Sequence, residues 1–203
     1  MADSPATNKM DIDTGKAIGY GWASVKKDFW YFVGLALVVT IIGSIGNSWR
    51  EHPSHWNFIN IFLSTWMLCG YTGIALSYQA GKKLPFENLF TNLKPYWRVL
   101  GATLLLGVIF FVGFLLLIVP GVYFALKYQM TINLIIDKNM GIMDAMRASA
   151  KMTEGRKMSL LGFDFASLGV IILGAICLGF GVLIAMPIVW LAGIVVYRQL
   201  SAA

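Results

Sequence analysis

Long apolar runs alternate along the chain with short polar, basic segments. The runs cover Phe29–Gly46, Phe58–Tyr78, Val99–Val119 and Val122–Ile136, and two more lie between Met158 and Leu200. Leu104–Val119 is almost unbroken. A helix needs about 20 mostly apolar residues to cross the hydrocarbon core. Because the runs are continuous rather than alternating, they exclude the period-two pattern of a closed β-barrel. The pattern predicts an all-α polytopic bundle of six transmembrane helices, at about 29–46, 58–78, 99–119, 122–136, 158–179 and 182–198. Pro120-Gly121 predicts a tight turn between the third and fourth, since proline cannot continue a helix and glycine accepts unusual dihedrals. The last apolar stretch is too long for one crossing, which predicts a hairpin broken at Gly179-Phe180-Gly181, with Pro187 interrupting its second arm.

Residues 1–13 are polar and acidic, without an apolar run behind a basic start, so they read as a disordered cytoplasmic tail rather than a cleaved signal. The run beginning at Phe29 then acts as an uncleaved signal anchor, and residues 14–200 form a single six-helix domain. Three polar segments carry apolar residues at helical spacing ahead of a basic cluster. Ile18, Trp22 and Val25 precede Lys26-Lys27; Phe86, Leu89, Phe90 and Leu93 precede Lys94 and Arg98; Met143, Met146 and Ala150 precede Lys151, Arg156 and Lys157. Each set fits one face of a short helix lying at the membrane interface. Three units of interface helix plus hairpin would account for the whole chain, and so would ordinary membrane-protein patterning.

Composition agrees with the pattern. Of 203 residues, 58% are hydrophobic and 13% charged, with a mean hydropathy of +0.70, against about 45–50% and 25% in soluble domains. Net charge is +6, which in isolation could point to nucleic acid. Its distribution argues otherwise. With the N-terminus inside, the cytoplasmic segments hold every Lys and Arg except Arg50 and Lys127. The loop-charge rule therefore sets both termini in the cytoplasm. Lys26, Lys27, Lys94, Arg98, Lys151, Arg156 and Lys157 become candidates for anionic lipid headgroups, at about 1 kcal/mol per charge near the surface. No nucleic-acid partner is expected; a protein partner or a homo-oligomer is compatible with the pattern.

Two charges sit inside the runs. Lys127 and Asp164 each cost roughly 2.5–3.5 kcal/mol at mid-helix on insertion scales. Each lies about 10 Å into the core, from opposite sides, at 1.5 Å per residue. Tilt and the long lysine side chain could bring them together as a structural pair between the fourth and fifth helices; a substrate or proton site is the alternative. Tyr123, Lys127 and Thr131 recur every fourth residue, with Gln129 and Asn133 on a second stripe. Lipid satisfies neither stripe, so this helix is expected at the centre of the bundle, its polar groups serving as interhelical glue or lining a solute path.

Other chemistry is thin. Glu51, His52 and His55 share a short proline-containing loop, a weak ligand set, so no metal and no cofactor are expected. Cys69 and Cys177 lie in apolar runs as packing residues. Gly162 with Ala166, and Gly70 near Gly73, read as close helix contacts. Trp49 and Trp56 suit an outer aromatic belt, Trp30 and Trp97 an inner one. There is no His-Glu-x-x-His, no Gly-x-Ser-x-Gly, no phosphate-cradling glycine loop and no paired intramembrane carboxylates, so the chain reads as non-enzymatic.

The C-terminal half carries Pro120-Gly121, Lys127-Tyr128, Asp137, Ala145, Ser149 and Gly155, then Leu161-Gly162-Phe163-Asp164-Phe165, Leu178-Gly179-Phe180-Gly181, Pro187 and Tyr197. This series resembles the uncharacterised bacterial integral membrane family DUF975, itself similar to the membrane domain found beside some glycerophosphodiester phosphodiesterases. Ile188 follows Pro187 where the family pattern has tyrosine. The resemblance implies a prokaryotic plasma membrane and a six-helix domain, and it transfers no catalytic residue. The reading that follows is a lipid-engaging scaffold or accessory module, with a small-solute transporter or channel around Lys127 and Asp164 as the alternative.

Overall fold

The computed structural model describes residues 12–48, 55–82, 94–176 and 181–202. Among them every regular element is a helix: α1 (Thr14–Lys27), α2 (Phe29–Ser48), α3 (His55–Gln79), α4 (Tyr96–Leu116), α5 (Ile118–Tyr128), α6 (Thr131–Lys138), α7 (Ile142–Met152), α8 (Lys157–Ile176) and α9 (Gly181–Ser201). Four are long and apolar enough to cross a membrane: α3 over Asn60–Gln79, α4, α8 and α9; in α2 the apolar stretch Phe29–Ile42 is shorter. The amphipathic residues 86–93, the loop carrying Glu51 and His52, the side chain of His55, Cys177 and the Gly179-Phe180 break lie outside the described residues.

Local chemistry accounts for both ends of α1. Asp13 caps α1, its carboxylate accepting the Lys16 N–H at 2.9 Å. Lys16 also pairs with that carboxylate at 2.8 Å, and its hydrogen bond holds the Asp13 carboxyl below its ordinary range. Lys26 and Lys27 close the same helix, where cations complement the unpaired carbonyls. The reversal between α4 and α5 differs from the turn expected at Pro120-Gly121. The chain turns at Leu117 in extended backbone, and Pro120 and Gly121 lie inside α5. A proline in the first helical turn gives up only an amide that has no partner there anyway. Nor does Pro187 interrupt its arm, because α9 runs through it from Gly181 to Ser201. The fourth apolar run, by contrast, arrives as two helices. At 1.5 Å per residue, α5 measures about 16 Å and α6 about 12 Å, so neither spans a bilayer alone.

The helices assemble as three hairpins, α2–α3, α4–α5 and α8–α9, with α6 and α7 bridging the last two. Glycine pairs bring the arms of the second and third hairpins together. Gly113 meets Gly121, and Gly174 meets Gly181, so closely that a β-carbon on Gly113, Gly174 or Gly181 would press on the opposing backbone, and one on Gly121 on the Phe114 ring. Gly162, expected at such a contact, has open space beside it. The amphipathic helices dock backwards along the chain. α7 packs on α6, α5 and α4, the hairpin before it, while α1 packs on α9 and α8, the last hairpin. The first segment thus closes the arrangement onto the third unit. Gly21 makes this possible, since it lies directly against the Ile188 carbonyl, where any side chain would collide.

α9 carries much of the core, and the fourth run, expected at the centre, reaches it mainly through Met130 and the buried Thr131, Leu134 and Ile135 of α6. Ile188, Leu191, Ala192, Ile194, Val196 and Tyr197 are all buried and point to every side of the helix at 100° per residue. Only Gly121 and Leu126 are buried on α5. The tip of the α4–α5 hairpin faces outward, with Val119 77% exposed, as expected where hydrocarbon rather than water surrounds an apolar arm.

At the base, α6 is tied to α9. Asp137 accepts two hydrogen bonds from the Arg198 guanidinium at 2.9 Å and a third from the Tyr197 hydroxyl at 2.8 Å. Charge-assisted, bidentate bonds are among the stronger polar contacts, though Arg198 is partly exposed and solvent weakens its share. Asp137→Ala is expected to lower unfolding stability in detergent by about 1–2 kcal/mol, and Tyr197→Phe by less. Thermal unfolding that leaves Asp137→Ala unchanged would show the tie to be idle.

Candidate functional site

The polar groups of the interior gather where α5 gives way to α6. An i→i−4 ladder that stops at Tyr128 frees backbone groups, and inside a bilayer they must find partners within the protein. Ser149 of α7 and Thr153, the residue that caps its end, supply them. The Ser149 hydroxyl donates to the Lys127 carbonyl at 3.0 Å and accepts from the Met130 N–H at 3.2 Å. The Thr153 hydroxyl lies 3.2 Å from the same carbonyl and 3.0 Å from that of Ser149. Both side chains are fully buried. Hydroxyls one helical turn apart therefore clamp the break.

Beyond the break, the Gln129 amide donates to the Asp164 carboxylate at 2.7 Å. The expected pairing of Asp164 with Lys127 is not formed. No ion pair joins them among the described residues, and the Lys127 ammonium sits 5.4 Å from the Tyr128 ring centroid. The pairing assumed one continuous helix; the break ends α5 one residue beyond Lys127 and leaves Gln129 opposite Asp164. It also divides the expected stripe of Tyr123, Lys127 and Thr131. Thr131 is fully buried on α6, whereas Tyr123 is 44% exposed, with the Lys157 ammonium 3.9 Å above its ring. Asn133 contacts the Met130 sulfur at 3.8 Å. Three buried polar atoms near these residues have no partner: Gln129 Oε1, Thr131 Oγ1 and Ser167 Oγ, the last one turn along α8 from Asp164. No protein-family model, curated protein or solved structure matches this chain.

Among the described residues no group of three or more His, Cys, Asp or Glu could hold a metal ion. The Gln129–Asp164 cluster brings together one carboxylate, an amide and hydroxyls, which can hold a proton or a hydrogen-bonding solute but offer neither an activated nucleophile nor a paired acid and base. Of the candidate headgroup residues, Lys26, Lys27, Lys94 and Lys151 are exposed and Arg156 is half-buried. Arg98 is engaged by Asn139, donating to its backbone oxygen at 2.6 Å and its side-chain oxygen at 2.8 Å. Asn139 ends α6 in the left-handed conformation that asparagine tolerates. Lys157 is engaged by Tyr123. Ser149, Thr153 and the Asp137–Arg198 pair escaped the sequence reading. Ser149 and Thr153, one turn apart on the buried side of an amphipathic helix, were the available signal for the clamp.

Proposed function

We propose that the chain is a non-enzymatic integral membrane protein that engages lipid as a scaffold or accessory module. On this reading six segments are embedded in a prokaryotic plasma membrane, both termini face the cytoplasm, and the basic ends of α1 and α7 lie at the headgroups. The resemblance to DUF975 belongs to the same proposal. The observation that carries it is how the interior polar groups are used. The α7 hydroxyls bind the helix break and Gln129 binds Asp164, while the hairpin arms present apolar surface outward. Polar groups satisfied by one another act as glue between helices.

A second reading, a small-solute transporter or channel, is favoured by one feature: a broken helix beside a carboxylate, with Gln129 Oε1 and Ser167 Oγ lacking partners. Discontinuous helices often frame transporter sites. A flux screen in liposomes separates the two. The scaffold reading expects no flux above protein-free vesicles. Flux that is present in the unaltered protein and lost in both Asp164→Asn and Gln129→Leu would establish transport instead.

A further inference from the structure

We infer that a cavity lined by all three hairpins holds one acyl chain of a membrane lipid; this rests on the lipid-engaging reading above. The cavity measures about 540 Å³, within the range of about 300–1,000 Å³ usual for small-molecule sites. Ala36 of α2, Met67 and Tyr71 of α3, Thr103 of α4, and Met186 and Trp190 of α9 contribute to its lining. Every one of these residues lies in a helix stretch apolar enough for the membrane interior.

The lining decides the chemistry of the occupant. Its surface is mainly hydrocarbon and aromatic, and two of its hydroxyls are already spent on their own helices. Thr40 donates to the Ala36 carbonyl at 2.8 Å and Ser64 to the Ile61 carbonyl at 3.1 Å. Thr103 Oγ1 is without a partner, but a polar solute entering so apolar a space would give up more hydrogen bonds to water than it could replace. An apolar chain gives up nothing. Methionines adapt to an irregular, flexible guest, and Tyr71 and Trp190, packed edge to face at 4.9 Å, form a rigid wall. The apolar molecule surrounding membrane-embedded helices is lipid. An acyl chain in this space restores dispersion contacts that the lining residues otherwise lack.

The test is native mass spectrometry of the full chain, purified in mild detergent after reconstitution with phosphatidylethanolamine and phosphatidylglycerol. One retained phospholipid per chain is expected, reduced about tenfold in Ala36→Phe with Met186→Phe, corresponding to ~1.4 kcal/mol of affinity. A photoactivatable fatty acid offers a readout independent of how those variants fold, and its adducts are expected on peptides bearing Met67 and Met186 in preference to those bearing Phe111 and Leu115. No retained lipid, equal retention in the filled variant, or retention lost only in Lys26→Gln with Lys151→Gln would overturn the proposal. So would a second copy of the chain in place of lipid. The flux screen fails independently: a chain that transports can still retain lipid, and a chain that does neither loses only this site.

Discussion

Gly21→Ala is expected to detach α1 from α9 and to destabilise the solubilised protein by about 3 kcal/mol, the upper part of the range for overpacking. The β-carbon would land on the Ile188 carbonyl and within 3.1–3.3 Å of two more backbone atoms of that residue. Backbone cannot swing aside as the tip of a flexible side chain can, so the helices must part. Gly19 supplies the control. It lies in the same helix with nothing within 4 Å, and Gly19→Ala is expected to be neutral or to stabilise by up to about 1 kcal/mol through helix propensity. Thermal unfolding of both variants, with protease cleavage at Lys26-Lys27 as a local probe, checks the pair. If Gly21→Ala behaves like Gly19→Ala, α1 is not docked on α9.

The second large effect is expected at the helix break. Ser149→Ala with Thr153→Val removes both hydroxyls from the Lys127 carbonyl and leaves the Met130 N–H unpaired. Each unsatisfied buried group costs about 1–3 kcal/mol, and the two sites share one carbonyl, so their effects are not additive. A combined loss of about 3 kcal/mol is expected, with faster hydrogen exchange at the Met130 amide. Thr153→Ser, which keeps a hydroxyl, should recover part of it. Unchanged exchange at Met130 would mean that the break is satisfied by other groups.

Much of the helical layout was legible because it depends on local hydrophobicity. The runs beginning near Phe29, Phe58, Val99, Met158 and Val182 all appear as helices, with ends within a few residues of those expected for α8 and α9. What escaped the sequence depended on distant contacts. Gln129 and Met130 carry no proline or glycine to announce a break; hydroxyls from α7, some twenty residues on, hold it open. Pro120 and Pro187, the residues that do announce breaks, sit inside helices, one in a first turn and the other in a helix surrounded by neighbours. The Lys127–Asp164 pairing failed for the same reason, since depth along a continuous helix was the only ruler available. Charge counting followed only lysines and arginines, so it could not show the tie between Asp137 and Arg198.

The proposed topology sets the chain in the membrane with its basic amphipathic helices on a single face. Single-cysteine variants in a background with Cys69→Ala and Cys177→Ala, labelled by a membrane-impermeant maleimide on intact cells, test it most directly. Lys26→Cys, Lys151→Cys and Ala202→Cys are expected to react only after permeabilisation, and His52→Cys to react in intact cells. Lys151→Cys reacting from outside as readily as His52→Cys would contradict the account.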